Sequence, residues 1–191
     1  IKVGISQDLD SLDPHTAVSA GTKEVLFNIY EGLVKPDSDG NLVEAVASSY
    51  EISDDAKTYT FTLRDGVKFH NGNEVTVDDV KYSIDRCADT SNGGPLVSAY
   101  SIIDSVNILD DKTVEVCLTE PNTEFLAYMT TAIVPKDSAD TLATNPVGTG
   151  PFKYVSRNPQ ENIILEKNED YWGEKAHLDK VEFKIVADAD M

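Results

Sequence analysis

Between Thr58 and Cys87 the apolar residues change period once, and that change constrains the fold more than any other feature of the chain. Tyr59, Phe61 and Leu63 alternate with Thr58, Thr60 and Thr62, the period-two pattern of a strand with one buried face. Asp65-Gly66 breaks this strand, and Asn71-Gly72-Asn73 marks a second turn after a short strand at Val67-Lys68-Phe69. Thr76 then stands where an N-cap belongs, with Asp78 and Asp79 in the first helical turn, where carboxylates favour the helix dipole. Val77, Val80, Ile84 and Cys87 follow at spacings of 3, 4 and 3, the apolar stripe of an amphipathic helix. The stretch is a rigid ββα scaffold, and Leu63, Phe69, Val80 and Ile84 are expected to share one core. It carries no chemistry of its own.

The flanking sequence extends the pattern without changing its kind. Strands are expected at residues 1–6 and at Ala132-Ile133-Val134, and a last one alternates through Val181, Phe183 and Ile185. Hairpins are expected from Leu33-Val34 to Leu42-Val43, from Val106-Asn107-Ile108 to Val114–Leu118, and from Phe152–Val155 to Ile163–Glu166. Helices are read at Thr22–Tyr30, Ala45–Tyr50, Glu124–Met129 and Lys136–Ala143, with a helix or irregular lid at Leu96–Ile103. Hairpins with interspersed short helices, rather than a regular βαβ series, predict an α+β fold with mixed or antiparallel sheets.

Charge excludes two partner classes. The chain has 34 acidic and 16 basic residues, a formal net charge of −18. Nucleic acid and anionic membrane both demand basic patches, so neither is a partner. No apolar run approaches the roughly 18 residues of a membrane helix. The two cysteines, Cys87 and Cys117, are too few for a disulfide framework or a Cys-ligated metal site. They are read as free and structural, with a disulfide between them as the alternative in an oxidising compartment.

The candidate chemistry is sparse. Asp8, Asp10 and Asp13 invite a calcium reading, but the Gly and distal Glu of an EF-hand loop are missing, and turn and cap roles fit them better. Gly148-Thr149-Gly150 is followed at once by Pro151 and is a tight turn, not a dinucleotide fingerprint. No nucleotide-cradling motif, nucleophile elbow or Cys–His pair occurs, so neither a cofactor nor an enzyme is expected. His15, His70 and His177 lie far apart and lack metal-ligand spacing. Each is read as a surface or capping histidine, against the alternative of a nickel or haem site assembled across a cleft. Trp172 is read as a packing anchor.

Four segments in order resemble one family. They are Ser11-Leu12-Asp13-Pro14-His15, Tyr30-Glu31-Gly32-Leu33-Val34, the Leu63–Arg86 scaffold, and Asn145–Phe152 with Tyr171-Trp172-Gly173 downstream. Together they resemble the family 5 extracellular solute-binding proteins, the peptide-, oligopeptide- and nickel-binding receptors of ABC importers. The resemblance implies a lobe of the type II periplasmic-binding-protein kind. Residues 1–35 and 147–191 would form domain I around an inserted domain II at residues 36–146, with the second lobe missing and the chain an N-terminal fragment. It implies capture of di- or oligopeptides between two lobes and delivery to a membrane permease, without chemistry on the ligand. Alternatives are a nickel, haem or oligosaccharide receptor, or a ligand-sensing signalling protein. The setting would be extracytoplasmic, in the periplasm or as a membrane-anchored lipoprotein.

The resemblance also names candidate ligand contacts. They are His15, Thr16, Ala17, Val18, Ser19, Ala20 and Gly21 in the loop leading into the first helix, and Tyr100, Tyr128, Met129, Thr130 and Thr131 further on. Val18 falls where peptide binders of the family carry an acidic residue for the ligand's amino group, a departure from that pattern. No metal ligand is assigned.

Overall fold

The computed structural model describes residues 1–186. Residues 187–191, the end of the chain beyond the last expected strand, lie outside the described residues. The described chain forms two compact units.

The first unit comprises Ile1–Tyr30, Lys68–Asn73 and the chain from Ser138 on. It holds strand β1 (Lys2–Ile5) and helix α1 (Ala20–Leu26). The second unit comprises Glu31–Val67 and Glu74–Asp137. It holds β2 (Val34–Pro36), β3 (Leu42–Glu44), β4 (Ala47–Ile52), β5 (Thr58–Leu63), helix α2 (Val77–Ala88), β6 (Ile103–Asp110) and β7 (Thr113–Leu118). Two 3-10 turns, Ser98–Ile102 and Phe125–Thr130, complete it. Strands β8 (Phe152–Asn158), β9 (Asn162–Lys167) and β10 (Lys180–Ile185) return to the first unit.

The sheet of the first unit runs β1-β10-β9-β8. β1 is parallel to β10 and the other pairs are antiparallel, so this sheet is mixed. In the second unit β2 and β3 form a ribbon, and β4-β5-β7-β6 form an antiparallel sheet. The expected α+β class with mixed and antiparallel sheets is what the chain adopts.

The alternation through β5 does what it predicts: Tyr59, Phe61 and Leu63 are buried while the threonines between them are half-buried. Opposite them, Val114, Val116 and Leu118 of β7 bury the same face. α2 packs against β6 and β7. Its start is a capping box, in which Asp79 N donates to Thr76 Oγ1 and Thr76 N donates to the Asp79 carboxylate at 2.8 Å. Asp79 also accepts from Lys136 N at 2.8 Å, so this carboxylate ties the helix start to a second segment. Leu63, Val80 and Ile84 are buried in this unit as expected; Phe69 is buried too, but with the first unit.

Five expected elements differ. Ala45–Tyr50 is not helical: Ala47–Ile52 is strand β4, laid along β5. Hairpin pairing with the next strand, β5, outweighs the helix preference of its alanines. Lys136–Ala143 forms turns rather than a helix, with Thr141 N and Leu142 N both reaching Ser138 O. Asp137 there has φ +61°, a left-handed conformation that no helix interior admits. Ala132-Ile133-Val134 is extended without a ladder, its amides donating to Glu31 O and Ser83 Oγ. The strand at Val67–Phe69 shrinks to single backbone bonds, Val75 N to Val67 O and Phe69 N to Asn73 O. Helix α1 stops at Leu26, where the Asn28 side chain bonds back to Glu24 O and Val25 O.

Candidate functional site

In the first unit the candidate contacts form the loop that enters α1 and, at Ala20 and Gly21, the first residues of the helix itself. Its shape is set by the three aspartates. Asp10 accepts from Val18 N at 2.8 Å and Ser19 N at 3.4 Å, and Asp13 accepts from His15 N at 3.0 Å. Bonds from Thr22 and from the Val18 amide hold the Asp10 carboxyl below the usual carboxylate range. Asp8 bonds Leu9 N and Gln160 N and pairs with the Arg157 guanidinium at 3.1 Å. All three acids serve turns and ties, the role the sequence favours over calcium. Among the described residues no group of three or more His, Cys, Asp or Glu side chains could hold a metal ion.

With its acids bonded to backbone amides of the loop and its neighbours, the loop tip itself is largely apolar. Val18 is 79% exposed, Thr16, Ala20 and Gly21 are exposed, and Ser19 is half-buried. His15 and Ala17 are buried beneath them. The loop can therefore offer a ligand van der Waals contact, the Thr16 and Ser19 hydroxyls and backbone groups.

In the second unit the candidates gather on the Phe125–Thr130 turn. Tyr100 is 1% exposed, and its hydroxyl donates to Tyr128 O at 2.5 Å and stands 2.8 Å from Thr131 Oγ1. The Thr131 hydroxyl reaches the same carbonyl at 3.0 Å. Burial pushes the Tyr100 hydroxyl pKa up, so the group stays protonated and donating. Beneath the turn Phe125 packs against Tyr59, Tyr100 and Tyr128, with ring centroids 5.5, 5.8 and 6.1 Å away. Such spacings are in the favourable range for tilted aromatic pairs. Met129 is buried, while Tyr128 is 42% exposed and Thr130 is exposed.

Several residues that build this surface escaped the sequence reading of the site. Gly32 lets the backbone pass under the turn: a Cβ there would stand 2.6 Å from Met129 O and 2.7 Å from Thr130 Cα. Its signal was its place in the Tyr30–Val34 segment. Asp10 had a signal only as a turn aspartate, and Phe125 left none of its own, because each acts by holding other residues. A separate groove of about 720 Å³ lies in the second unit along α2 and β6. Its walls carry mixed charge, including Asp78, Arg86 and Asp104, and its Lys81 is already bonded to Asp85 at 2.9 Å and to Val106 O at 2.8 Å.

Comparison with known proteins places this geometry. Residues 41–191 match the family model described as bacterial extracellular solute-binding proteins, family 5 Middle. The glutathione-binding protein GsiB of Pectobacterium atrosepticum is 32% identical over 94% of this chain, which spans 36% of that protein's length. Among solved structures, the ABC transporter-associated periplasmic binding protein DppA from Helicobacter pylori, in complex with the peptide STSA, superposes with a TM-score of 0.92 at 34% identity. That match covers all of this chain and 43% of DppA. AgaA from A. tumefaciens R10, in complex with agropinic acid, gives a TM-score of 0.93 at 33% identity, over 99% of this chain and 40% of its own. The fold is thus that of periplasmic binding proteins, and the chain spans well under half the length of the relatives it matches.

Proposed function

This chain belongs to the bacterial extracellular solute-binding proteins of family 5, and we propose that it forms one lobe of the substrate-binding component of an ABC importer that captures di- or oligopeptides. The observation that carries the peptide reading is the superposition of the entire chain on the peptide-bound DppA at 34% identity. The glutathione-binding relative points the same way, glutathione being a tripeptide. Capture would proceed by closure of two lobes about a hinge, and the closed form would dock on a membrane permease. The ligand leaves unchanged, and the setting is extracytoplasmic, in the periplasm or on a lipid anchor.

Within this reading the candidate residues divide by exposure. Thr16, Val18, Ser19, Ala20 and Gly21 are the solute-facing groups of the first unit, and Tyr128, Thr130 and Thr131 those of the second. His15, Ala17, Tyr100 and Met129 support them from below. The loop tip carries Val18 rather than a carboxylate, and the nearby Asp10 carboxylate already accepts from the Val18 and Ser19 amides; peptide recognition here rests on apolar contact and backbone hydrogen bonds.

The test is calorimetry of the full receptor against di-, tri- and tetrapeptides, with glutathione, agropinic acid and a nickel–histidine complex beside them. Peptides should bind at micromolar strength or better, with the ligand recovered intact. Tyr128→Ala should weaken binding about tenfold, the loss of roughly 1.4 kcal/mol. Binding of a non-peptide with no peptide bound would overturn the assignment, and an unchanged affinity in Tyr128→Ala would remove that residue from the site.

A further inference from the structure

One histidine commits both ring nitrogens to the backbone of a single turn of the first unit. His70 Nε2 lies 3.0 Å from Gly150 O, and its Nδ1 lies 3.3 Å from Gly148 N. A carbonyl only accepts and an amide N–H only donates. The two partners therefore fit one state of the ring, the neutral imidazole with its proton on Nε2. His70 N adds a third bond, to Gly148 O at 2.9 Å. The loop 68–73 is thus fastened to the turn at Gly148–Gly150 from one residue.

The turn has no slack with which to follow a moving ring. Gly150 N donates to Ile29 O at 2.8 Å, and Asn168 Nδ2 donates to Gly150 O at 3.1 Å. A Cβ at Gly148 would stand 2.2 Å from Ile29 O, so the backbones already touch.

We propose that His70 is a proton-operated latch: neutral, it fastens the 68–73 loop to the Gly148–Gly150 turn, and protonated, it releases the loop. Protonation places a second N–H against the Gly148 N–H and leaves a half-buried cation between backbone segments. The charged group acting on the ring is Lys153 of β8, which opposes a second positive charge. The 28–30 segment contributes Tyr30 as its titratable side chain; the turn and Asn168 contribute none. Burial is the main cause holding the imidazole down, the bond to Gly150 O pulls the other way, and Lys153 assists burial; together they lower it from 6.5 to about 4. A folded value below the unfolded one means that the latch contributes fully above about pH 6.5, and that this contribution drains away as pH falls toward about 4. The β9–β10 ladder makes no use of the ring, so the loop loosens while the sheet stays intact.

The test uses the 191-residue chain and two NMR readouts, independent of any solute. The His70 ring should show the Nε2–H tautomer at neutral pH. Hydrogen exchange at the His70 and Gly148 amides, corrected for intrinsic rate, should speed up by up to about tenfold per pH unit below about 6.5, reaching about 150-fold over its neutral-pH value by pH 4. Amides of the β9–β10 ladder should keep their protection over the same range. In His70→Gln, whose amide donates to Gly150 O but does not titrate, the pH dependence should vanish. An Nδ1–H tautomer, flat exchange from pH 7 to 4, ladder amides opening in step, or a pH dependence that survives in His70→Gln would each overturn the latch. If His70→Gln fails to fold, the tautomer and the wild-type exchange profile still decide.

Discussion

Replacing Gly148 by Ala adds one methyl group where two backbones already touch. Its Cβ would stand 2.2 Å from Ile29 O and 2.7 Å from the Tyr30 ring. An ordinary carbon–oxygen contact needs about 1 Å more, and the obstacle is a carbonyl rather than a flexible side chain. That carbonyl accepts from Gly150 N at 2.8 Å, and its segment is pinned by Ile29 N and Tyr30 N, both donating to Leu26 O. A retreat of the turn would break Gly150 N to Ile29 O and two of the His70 bonds. Three bonds at roughly 0.5–1.5 kcal/mol each, together with an overlapping overpacking cost of roughly 1–3 kcal/mol, put the loss at about 3–5 kcal/mol. That is a large share of the roughly 5–15 kcal/mol that holds an ordinary domain folded.

The control is Gly72→Ala in the same unit. Nothing lies within 4 Å of a Cβ there, but φ is +90°, so only backbone strain of roughly 1–2 kcal/mol is at stake. The chain has a single tryptophan, Trp172, which sits in the first unit and reports on it alone. Urea unfolding followed by Trp172 fluorescence should show a larger fall in midpoint for Gly148→Ala than for Gly72→Ala. If the two midpoints fall equally, the crowding argument is wrong.

Two further outcomes follow from the packing and the ion pairs. Ile84 is 1% exposed on α2, and Ile84→Ala should cost roughly 2–5 kcal/mol by denaturation followed with far-ultraviolet circular dichroism; a loss below about 1 kcal/mol would mean that the helix repacks onto the sheet without it. Burial alone would raise the Asp8 carboxyl, but bonds from Gln160 N, Leu9 N and Arg157 outweigh it and hold it below its usual value of 3.8. The stability Asp8 contributes is therefore complete above that value and is lost as pH falls below it, and Asp8→Asn should narrow the gap in melting temperature between pH 7 and pH 3. Equal gaps in the variant and the wild type would show that Asp8 contributes nothing of the kind.

What was legible in the sequence was local. The β5 alternation, the Thr76–Asp79 box and the hairpins are written within a few residues of one another, and each formed where its pattern lies. Ala45–Tyr50 is a local exception: its composition favours a helix, yet Tyr50 pairs with Phe61 of the next strand in a hairpin. The rest of what was missed was decided at a distance. β1 finds its only partner in β10, at the other end of the described chain. The candidate surface follows the same division: a loop of small and polar residues could be read, but whether Tyr100 touches a ligand or holds Tyr128 depends on a hydroxyl bond across 28 positions.

Gly148-Thr149-Gly150 marks the boundary most closely. The sequence identifies a turn, and a turn is present. Glycine occurs in chains for two unrelated reasons, a backbone angle that other residues resist and room that other residues would fill. At Gly72 the reason is the angle, with φ +90° and open space around it. Gly148 and Gly150 do not have positive φ; a Cβ at either would run into the backbone of Ile29, and at Gly150 into that of Asn28 as well. The two cases look alike in the sequence, since what fills the room lies more than a hundred residues away. His70, 78 residues before Gly148, is hidden by the same separation, and the reading of it as a surface or capping histidine missed a ring whose partners are both backbone groups of that turn.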